Sequence, residues 1–471
     1  MIDVSSLKQK IIDYATSGKL SSVCNDDENI EIVLSKLPTI SSKREKLLEH
    51  SPEYDEKYTI PHHWRWVRLG EISTYGDTPN KVKPTEIKDG TWLLELEDIE
   101  VGGMLLAKKR YSIRKSVGEK TVFKKGQILY SKLRPYLKKV LIADEDGVST
   151  PELISFEVMG GIDARYITYC LVNSYVDKVI NKRSYGIKMP RVDVCFMVNL
   201  PIPLPPINEQ KRIVAKVDEA FKLLDKIDTL HNKYQNDLEV LKSKIIDAGI
   251  RGQLTEQLSE DGTAEELYQA IQAEKAQLIK EKKIKKEKPL PEITAAEIPF
   301  EIPSNWKWVR WGDVSQSIQY GYNAPALENG RIKMVRISDV QSNEVLWEDV
   351  PYCDIDEDSI ETYSLQPNDI LFARTGGTLG KSYLVEEVPE EAVYAGYLIR
   401  TRYSSSLSPR FLKYFMQSSL YWSQLRNGTI ATAQPNCNGK TLGKMIVPLP
   451  PLSEQKRIVA KIDSVLGAIG K

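Results

Sequence analysis

Apolar and near-apolar residues fall at Val217, Phe221, Leu224, Ile227, His231, Tyr234, Leu238, Leu241 and Ile245, eight steps over 28 residues. The mean step of about 3.5 residues is the repeat of a coiled-coil seam. It predicts one long helix from about Arg212 to Ala248, stopped by Gly249 and Gly252 and packed on another helix. Such a helix is roughly 55 Å long at 1.5 Å per residue. Elsewhere the pattern changes period. In IPHHWRWVRLGEIS, Ile60 to Ser73, and IPSNWKWVRWGDVS, Ile302 to Ser315, large apolar and polar groups alternate, which predicts an opening strand. The paired tryptophans Trp64/Trp306 and Trp66/Trp308 read as core anchors. Short strand-like runs follow, such as Gln127 to Tyr130 and Asp369 to Ala373, and then a helix near Ala164 to Lys182 in one stretch and Pro409 to Arg426 in the other. Each stretch is therefore expected to be mixed α+β.

Both stretches close on one motif. PLPPINEQKRIVAKVD, Pro203 to Asp218, returns as PLPPLSEQKRIVAKID, Pro448 to Asp463, with three of sixteen positions changed. Proline just before the helix, with Asn208 or Ser453 as N-cap, marks a helix start in each. The N-terminal LKQKIID, Leu7 to Asp13, matches LKSKIID, Leu241 to Asp247, within the long helix, so the repeat is arranged circularly. On this alignment Lys471 corresponds to Lys226 and Met1 to Gln235, and two short helices are expected end to end and antiparallel to the central one. Gly467 and Gly470 replace Lys222 and Asp225, weakening the last turns by roughly 1 kcal/mol each. The C-terminal helix is expected to be short, which puts its half of the frame in question and allows a truncated variant.

The expected fold class is α+β, with two mixed α/β domains joined by long antiparallel coiled-coil-like helices in a circular pseudo-twofold repeat. The expected parts are an N-terminal helix (1–20), a connecting segment (21–59), a first variable domain (60–206) and a central long helix (207–255). A helical and proline-containing connector (256–301), a second variable domain (302–451) and a short C-terminal helix (452–471) complete the chain. In the connector, Ala264 to Lys288 reads as an amphipathic helix trailing into lysines.

Composition narrows the function. The 471 residues suit about three to four domains, and 65 basic residues balance 65 acidic ones, so any polyanion-binding surface must be local. Five scattered cysteines without CxxC spacing argue against a disulfide framework and a structural zinc site, and fit a reducing, cytoplasmic setting. No apolar run is long enough to span a membrane, and no secretory signal opens the chain. Methyltransferase, P-loop, dinucleotide-fold and HExxH motifs are absent, and the four histidines have no ligand spacing. No catalytic residue is assigned.

The charge is local indeed. Between Ala107 and Lys139 stand twelve basic residues and one acid, Glu119, and no Asp or Glu occurs from Ala392 to Ser453. Exclusion of acids is what approach to phosphate requires. In the first domain YSKLRPYLKK and KRSYGIKMPR offer Lys132, Arg134, Tyr136, Lys138, Lys139, Arg183, Lys188 and Arg191. In the second, ARTGGTLGKS offers Arg374, Thr375 and Lys381, and NGTIATAQPNCNGKTLGK, together with Arg426 just before it, offers Gln434, Asn436 and Lys440. Arginine and carboxamide side chains pair bidentately with guanine and adenine, whereas Lys138 and Lys139 are expected on phosphates. Polar turn-forming is the alternative role for each residue.

The combination of PLPPxxEQKRIVAK twice, IPxxWxWVRxG twice and EKAQLIKEKKIKKEKPLPEI resembles the specificity subunit of type I restriction-modification systems, over essentially the whole chain. The resemblance implies a non-catalytic subunit that binds double-stranded DNA at a bipartite, asymmetric site, each target recognition domain reading one half. It implies a helical spacer setting the gap, with Phe221, Leu224, Ile227, Tyr234, Leu238, Leu241 and Ile245 on the spacer and docking face. Two methylation subunits carrying S-adenosylmethionine, and restriction subunits using ATP and Mg, are the implied partners, and no cofactor is expected on this chain. A spacer of roughly 55 Å exceeds one turn of B-DNA, about 34 Å, which suits half-sites separated by unread base pairs. A self-contained restriction-modification enzyme or a fragment of one, and a basic scaffold without sequence preference, are the competing readings; the missing nuclease and cofactor motifs weigh against the first.

Overall fold

A computed structural model describes residues 3–50, 57–112, 118–186, 189–341, 344–428 and 436–470. The chain divides into two units, Met1–Asn232 and Lys233–Lys471. No helix among the described residues is long and apolar enough to cross a membrane.

In each unit the opening strand pairs antiparallel with the strand that closes the domain. Arg65–Arg68 lies on Pro201–Leu204 with Trp66 opposite Pro203, and Lys307–Arg310 lies on Ile446–Leu449 with Trp308 opposite Pro448. The repeated segments at the two ends of each domain thus form one ladder. In the first unit a five-stranded sheet has the order Lys81–Val82, Lys120–Phe123, Gly147–Ser149, Trp92–Leu94, Lys109–Arg110, beside a three-stranded sheet of Val140–Ile142, Ile128–Ser131 and Leu153–Phe156. The second unit has a four-stranded sheet, Ser315–Tyr320, Leu398–Tyr403, Ile370–Ala373 and Ser382–Leu384, and a three-stranded one of Tyr352–Cys353, Ile332–Val335 and Ala392–Tyr394. Mixed strand and helix content agrees with the expectation.

The helix expected from Ala164 to Lys182 is two helices, Ala164–Val172 and Ser174–Arg183. Asn173 ends the first and caps the second, its side chain accepting from the Val176 N–H at 2.7 Å. Asp13 of LKQKIID accepts from the Ser174 N–H at 2.8 Å. The second unit repeats the break between Pro409–Phe415 and Ser419–Gly428, where Asp247 of LKSKIID accepts from the Ser419 N–H at 2.8 Å. The displaced motif therefore supplies a cap to the adjoining domain in both units, satisfying backbone donors that a helix leaves open.

The central helix runs Ile207–Ile250, 44 residues, longer at both ends than its apolar spacing suggested. Asn208 is inside it and donates to the Asp26 carbonyl at 3.2 Å instead of capping it; the C-terminal helix, Leu452–Ile469, likewise has Pro451 as its cap position in place of Ser453. The N-terminal helix, Val4–Thr16, packs at the beginning of the central helix, with Lys8 2.5 Å from Asp225 and over the Phe221 ring. The C-terminal helix packs at its end, where Ile458 and Ile462 press on Gly249. Along the predicted seam Ile227, Tyr234 and Leu241 are 42%, 57% and 44% exposed, and Phe221, Leu224, Leu238 and Ile245 are half-buried.

Three polar positions of the constant motif, Glu, Gln and Arg, are tied into the fold by hydrogen bonds. Glu209 is buried and accepts from Trp64 Nε1 at 3.1 Å and Ser21 Oγ at 2.6 Å, with His63 Nε2 at 2.9 Å. Gln210 donates to the Pro205 carbonyl at 2.9 Å and accepts from the Asp163 N–H at 2.9 Å, as Gln455 does with Pro450 and Ser408 at 2.8 and 2.9 Å. Arg212 grips Asp27 with both terminal nitrogens, and Arg457 grips Asp261 likewise. The guanidinium holds each of these carboxyls below its ordinary range.

Candidate nucleic-acid interface

In the first unit strand Ile128–Ser131 leads into loop 132–139 and returns as Val140–Ile142; in the second, Ile370–Ala373 leads into 374–381 and returns as Ser382–Leu384. The two loops share a backbone frame. The Ser131 N–H donates to the Lys139 carbonyl at 3.0 Å and the Ala373 N–H to that of Lys381 at 2.8 Å; the Leu137 N–H donates to Arg134 at 3.0 Å and the Leu379 N–H to Gly376 at 3.1 Å.

A second segment crosses each loop at the same place. The Val192 N–H donates to the Lys132 carbonyl at 3.0 Å and the Cys437 N–H to that of Arg374 at 2.9 Å, while β-bridges join Leu133 to Arg191 and Thr375 to Asn436. The turn just before a third strand supplies Glu152, whose carbonyl takes the Lys132 N–H at 3.1 Å, and Tyr397, whose carbonyl takes the Arg374 N–H at 3.2 Å. Correspondence is therefore fixed, without gaps within the loop: Lys132 with Arg374, Leu133 with Thr375, Arg134 with Gly376, Tyr136 with Thr378 and Lys138 with Gly380, and from the flanking segments Glu152 with Tyr397 and Arg191 with Asn436. Lys139 and Lys381 are shared. One backbone frame thus carries two different sets of side chains.

In the first unit a hairpin buttresses the loop. The Gly102 N–H donates to the Leu137 carbonyl at 3.1 Å, and a Cβ on Gly103 would lie 2.0 Å from the Val140 carbonyl oxygen, so that approach requires glycine. In the second unit the Tyr421 hydroxyl donates to the Gly380 carbonyl at 2.8 Å, and the buried Lys413 ammonium donates to the carbonyl and hydroxyl of Ser382.

Much of the sequence-level basicity is neutralised in space. Lys109 lies 2.5 Å from Glu97 and 2.6 Å from Asp98, Lys108 2.8 Å from Asp144, Lys120 2.5 Å from Glu95 and Lys124 2.8 Å from Asp146, and Arg110 pairs with Glu145. Asp98 and Glu97 hold the Lys109 ammonium above its ordinary range, and Arg110 and Lys108 hold the Glu145 carboxyl below its own. In the second unit Arg402 pairs with Asp369 at 2.8 Å and Arg410 with Asp463 at 3.3 Å. The candidate surface contracts to the loops themselves.

Of the residues singled out in the first unit, Tyr136 and Arg183 are exposed, and Lys132 and Arg134 are half-buried. Lys138 lies 3.1 Å from Asp177 and donates to Gln9 Oε1 at 3.1 Å, and Lys139 donates to the Leu96 carbonyl at 2.7 Å, so both are engaged within the protein. Arg191 pairs with Glu152 at 3.1 Å. In the second unit Lys381, Arg426, Asn436 and Lys440 are exposed, and Thr375 is half-buried at its bridge to Asn436. The Arg374 guanidinium lies 4.8 Å over the Tyr320 ring. Lys188 and Gln434 lie outside the described residues.

Tyr320 and Tyr397, 39% and 61% exposed beside Arg374, were not singled out from the sequence. The Tyr320 hydroxyl accepts from the Gly439 N–H at 2.9 Å, tying strand Ser315–Tyr320 to the crossing segment. Aligning GVSTPEL, from Gly147, with AVYAGYL, from Ala392, would have placed Tyr397 opposite Glu152. Among the described residues no group of three or more His, Cys, Asp and Glu is arranged to hold a metal.

The family model described as the type I restriction modification DNA specificity domain matches residues 61–240 and 303–470. The EcoAI type I restriction enzyme specificity subunit of Escherichia coli is 25% identical, over 99% of this chain and 90% of its own. A solved chain from work on complex assembly and conformational transition of the type I R-M system superposes with a TM-score of 0.64 at 20% identity, covering 88% of this chain and 93% of that one. The HsdS subunit from Thermoanaerobacter tengcongensis superposes with a TM-score of 0.51 at 20% identity, covering 88% and 91%. These superpositions concern the fold.

Proposed function

Because this chain belongs to the family of type I restriction-modification DNA specificity domains, and is a non-catalytic specificity subunit with two target recognition domains, we propose that it reads a bipartite, asymmetric site in double-stranded DNA. Each domain reads one half, and the chain directs adenine methylation or cleavage by partner subunits in the cytoplasm. The observation that carries this reading is the pair of loops at 132–139 and 374–381, one backbone frame with different side chains. A constant frame gives both domains the same approach to the duplex, and differing side chains give each its own base preference.

Arg374, Thr375, Asn436 and their neighbour Tyr397 are the proposed base readers of the second domain, with Lys381, Lys440 and Arg426 at its phosphates. In the first, Arg134 and Tyr136 are proposed at bases and Lys132, Lys188 and Arg183 at the backbone. Lys138, Lys139 and Arg191 position the loop through their internal partners and reach DNA only by leaving them. Gln434 is retained as an adenine reader.

The central helix is the proposed spacer, in a circular pseudo-twofold arrangement that sets the gap between half-sites. Its exposed Ile227, Tyr234 and Leu241 support docking of two methylation subunits, since apolar side chains left open on a long helix are a surface for another helix. S-adenosylmethionine, ATP and Mg are proposed to bind the methylation and restriction subunits and not this chain. The target adenine would be taken out of the duplex into a methylation subunit's pocket.

Footprinting of the chain with its methylation partner on random duplexes tests the function. Protection confined to a two-part motif is expected, and protection without sequence preference would contradict it.

A further inference from the structure

Among the described residues four that are not glycine have positive φ, and two of them, Arg134 and Lys138, lie in the same loop. Arg134 sits at φ 50°, ψ 59° and Lys138 at φ 50°, ψ 38°, the left-handed region in which a Cβ crowds the carbonyl oxygen. Their counterparts in the second unit are Gly376 and Gly380, at φ +72° and +86°. The path of the loop demands this backbone, and glycine takes it without strain.

For Lys138 the fold supplies an offset, because its ammonium meets Asp177 and Gln9. Nothing comparable serves Arg134. Its Nε is buried without a hydrogen-bond partner, and among the described residues no carboxylate or carbonyl takes its guanidinium. Most other arginines of the first unit are engaged: Arg44 with Asp77, Arg65 with Glu31, Arg68 with Glu71, Arg191 with Glu152 and Arg212 with Asp27. The Arg134 backbone is itself held, its N–H donating to the Pro190 carbonyl at 2.7 Å and Pro135 following it. A half-buried guanidinium that has no ion pair among the described residues and one buried N–H, at Nε, without a partner, on a backbone where glycine is favoured, points to a partner outside the chain.

We propose that Arg134 is a specificity-determining residue of the first domain, reading guanine through its paired N–H donors. The fork of a guanidinium matches the O6 and N7 acceptors of guanine in the major groove. This inference rests on the DNA-reading function proposed above. It makes the two loops unequal: the second unit carries its arginine two positions earlier, at Arg374, and keeps glycine at the left-handed site.

The test uses the full chain with its methylation partner and a randomised duplex pool, comparing wild type, Arg134→Gly and Arg134→Lys. Glycine already occupies this position in the other loop, so R134G is expected to melt at or above the wild-type temperature. It should lose roughly 5- to 150-fold of its discrimination for guanine at one position of one half-site, with the other half unchanged. R134K keeps the charge, and it should bind within a few-fold of wild type while relaxing that same position. An R134G variant that retains every base preference overturns the inference. A lowered melting temperature with equal losses on both halves also overturns it, by assigning Arg134 a structural role. A wild-type chain that selects no sequence removes the DNA-reading function itself, whereas wild-type selectivity left intact in R134G removes this inference alone.

Discussion

The indole N–H of Trp306 donates to the carboxylate of Glu454 at 2.8 Å, and the same contact joins Trp64 to Glu209 at 3.1 Å. In the second unit the other donors to this buried carboxylate are neutral: Gln257 at 2.9 Å, Thr255 at 3.2 Å and Asn305 at 3.5 Å. A buried carboxylate whose hydrogen-bond donors are all neutral depends on each donor it has. Trp306→Phe keeps the ring packing and removes one donor, so it is expected to destabilise the second unit by about 1.5 to 3 kcal/mol. Urea unfolding measures this, and a loss near zero would contradict the assignment of the Trp–Glu pair as a structural tie.

Asp247 and Asp13 cap helices of different domains through the same motif. Each Asp→Ala substitution is expected to cost about 1 kcal/mol, within the 0.5 to 2 typical of caps. Local hydrogen exchange at the start of Ser419–Gly428 or Ser174–Arg183 locates the loss. An effect of Asp247→Ala spread evenly over the chain would contradict a local cap.

These two contacts show what the sequence concealed. The repeats were legible as repeats, and the tryptophans as anchors, because apolar alternation and identity are visible along a chain: Trp64 and Trp306 are indeed buried. That Glu209 and Glu454 are buried was hidden, since a carboxylate inside a helix motif looks like a solvated face until its donors are known. The basic run at Ala107–Lys139 misled for the converse reason. Its acids, Glu95, Glu97, Asp98, Asp144 and Glu145, lie elsewhere along the chain and are brought alongside by strand pairing. The apolar seam is visible in the spacing, but spacing alone does not say what covers it, and Ile227, Tyr234 and Leu241 are exposed.

Arg374 and Lys381 stand at opposite ends of one loop and should separate by function. Arg374→Ala is expected to relax base preference in one half-site, at about 1 to 3 kcal/mol. Lys381→Ala is expected to weaken all sequences alike and reduce the slope of log affinity against log salt by about 1. Selection from random duplexes at two salt concentrations distinguishes them. Equal effects of Arg374→Ala on both halves would contradict one domain per half.

Burial pushes the Lys413 ammonium down to about 8 from an ordinary 10.5. Below pH 8 both folded and unfolded chains hold this proton. Between about 8 and 10.5 the folded chain has released it while the unfolded chain has not, so stability rises with pH across that window. The full gain is on the order of 3 kcal/mol. Denaturant midpoints of wild type and Lys413→Met should therefore diverge in favour of wild type from pH 7 to pH 10. Parallel pH profiles would place the titration elsewhere.

Single-molecule mapping of methylated adenines, in cells carrying this chain with its methylation partner, tests most directly whether two unlike loops on one frame specify a two-part target. Methylation should fall in a motif of two short, unlike blocks separated by a constant number of unread base pairs, and Arg374→Ala should degrade one block alone. A symmetric or continuous motif, or methylation without sequence preference, would contradict it.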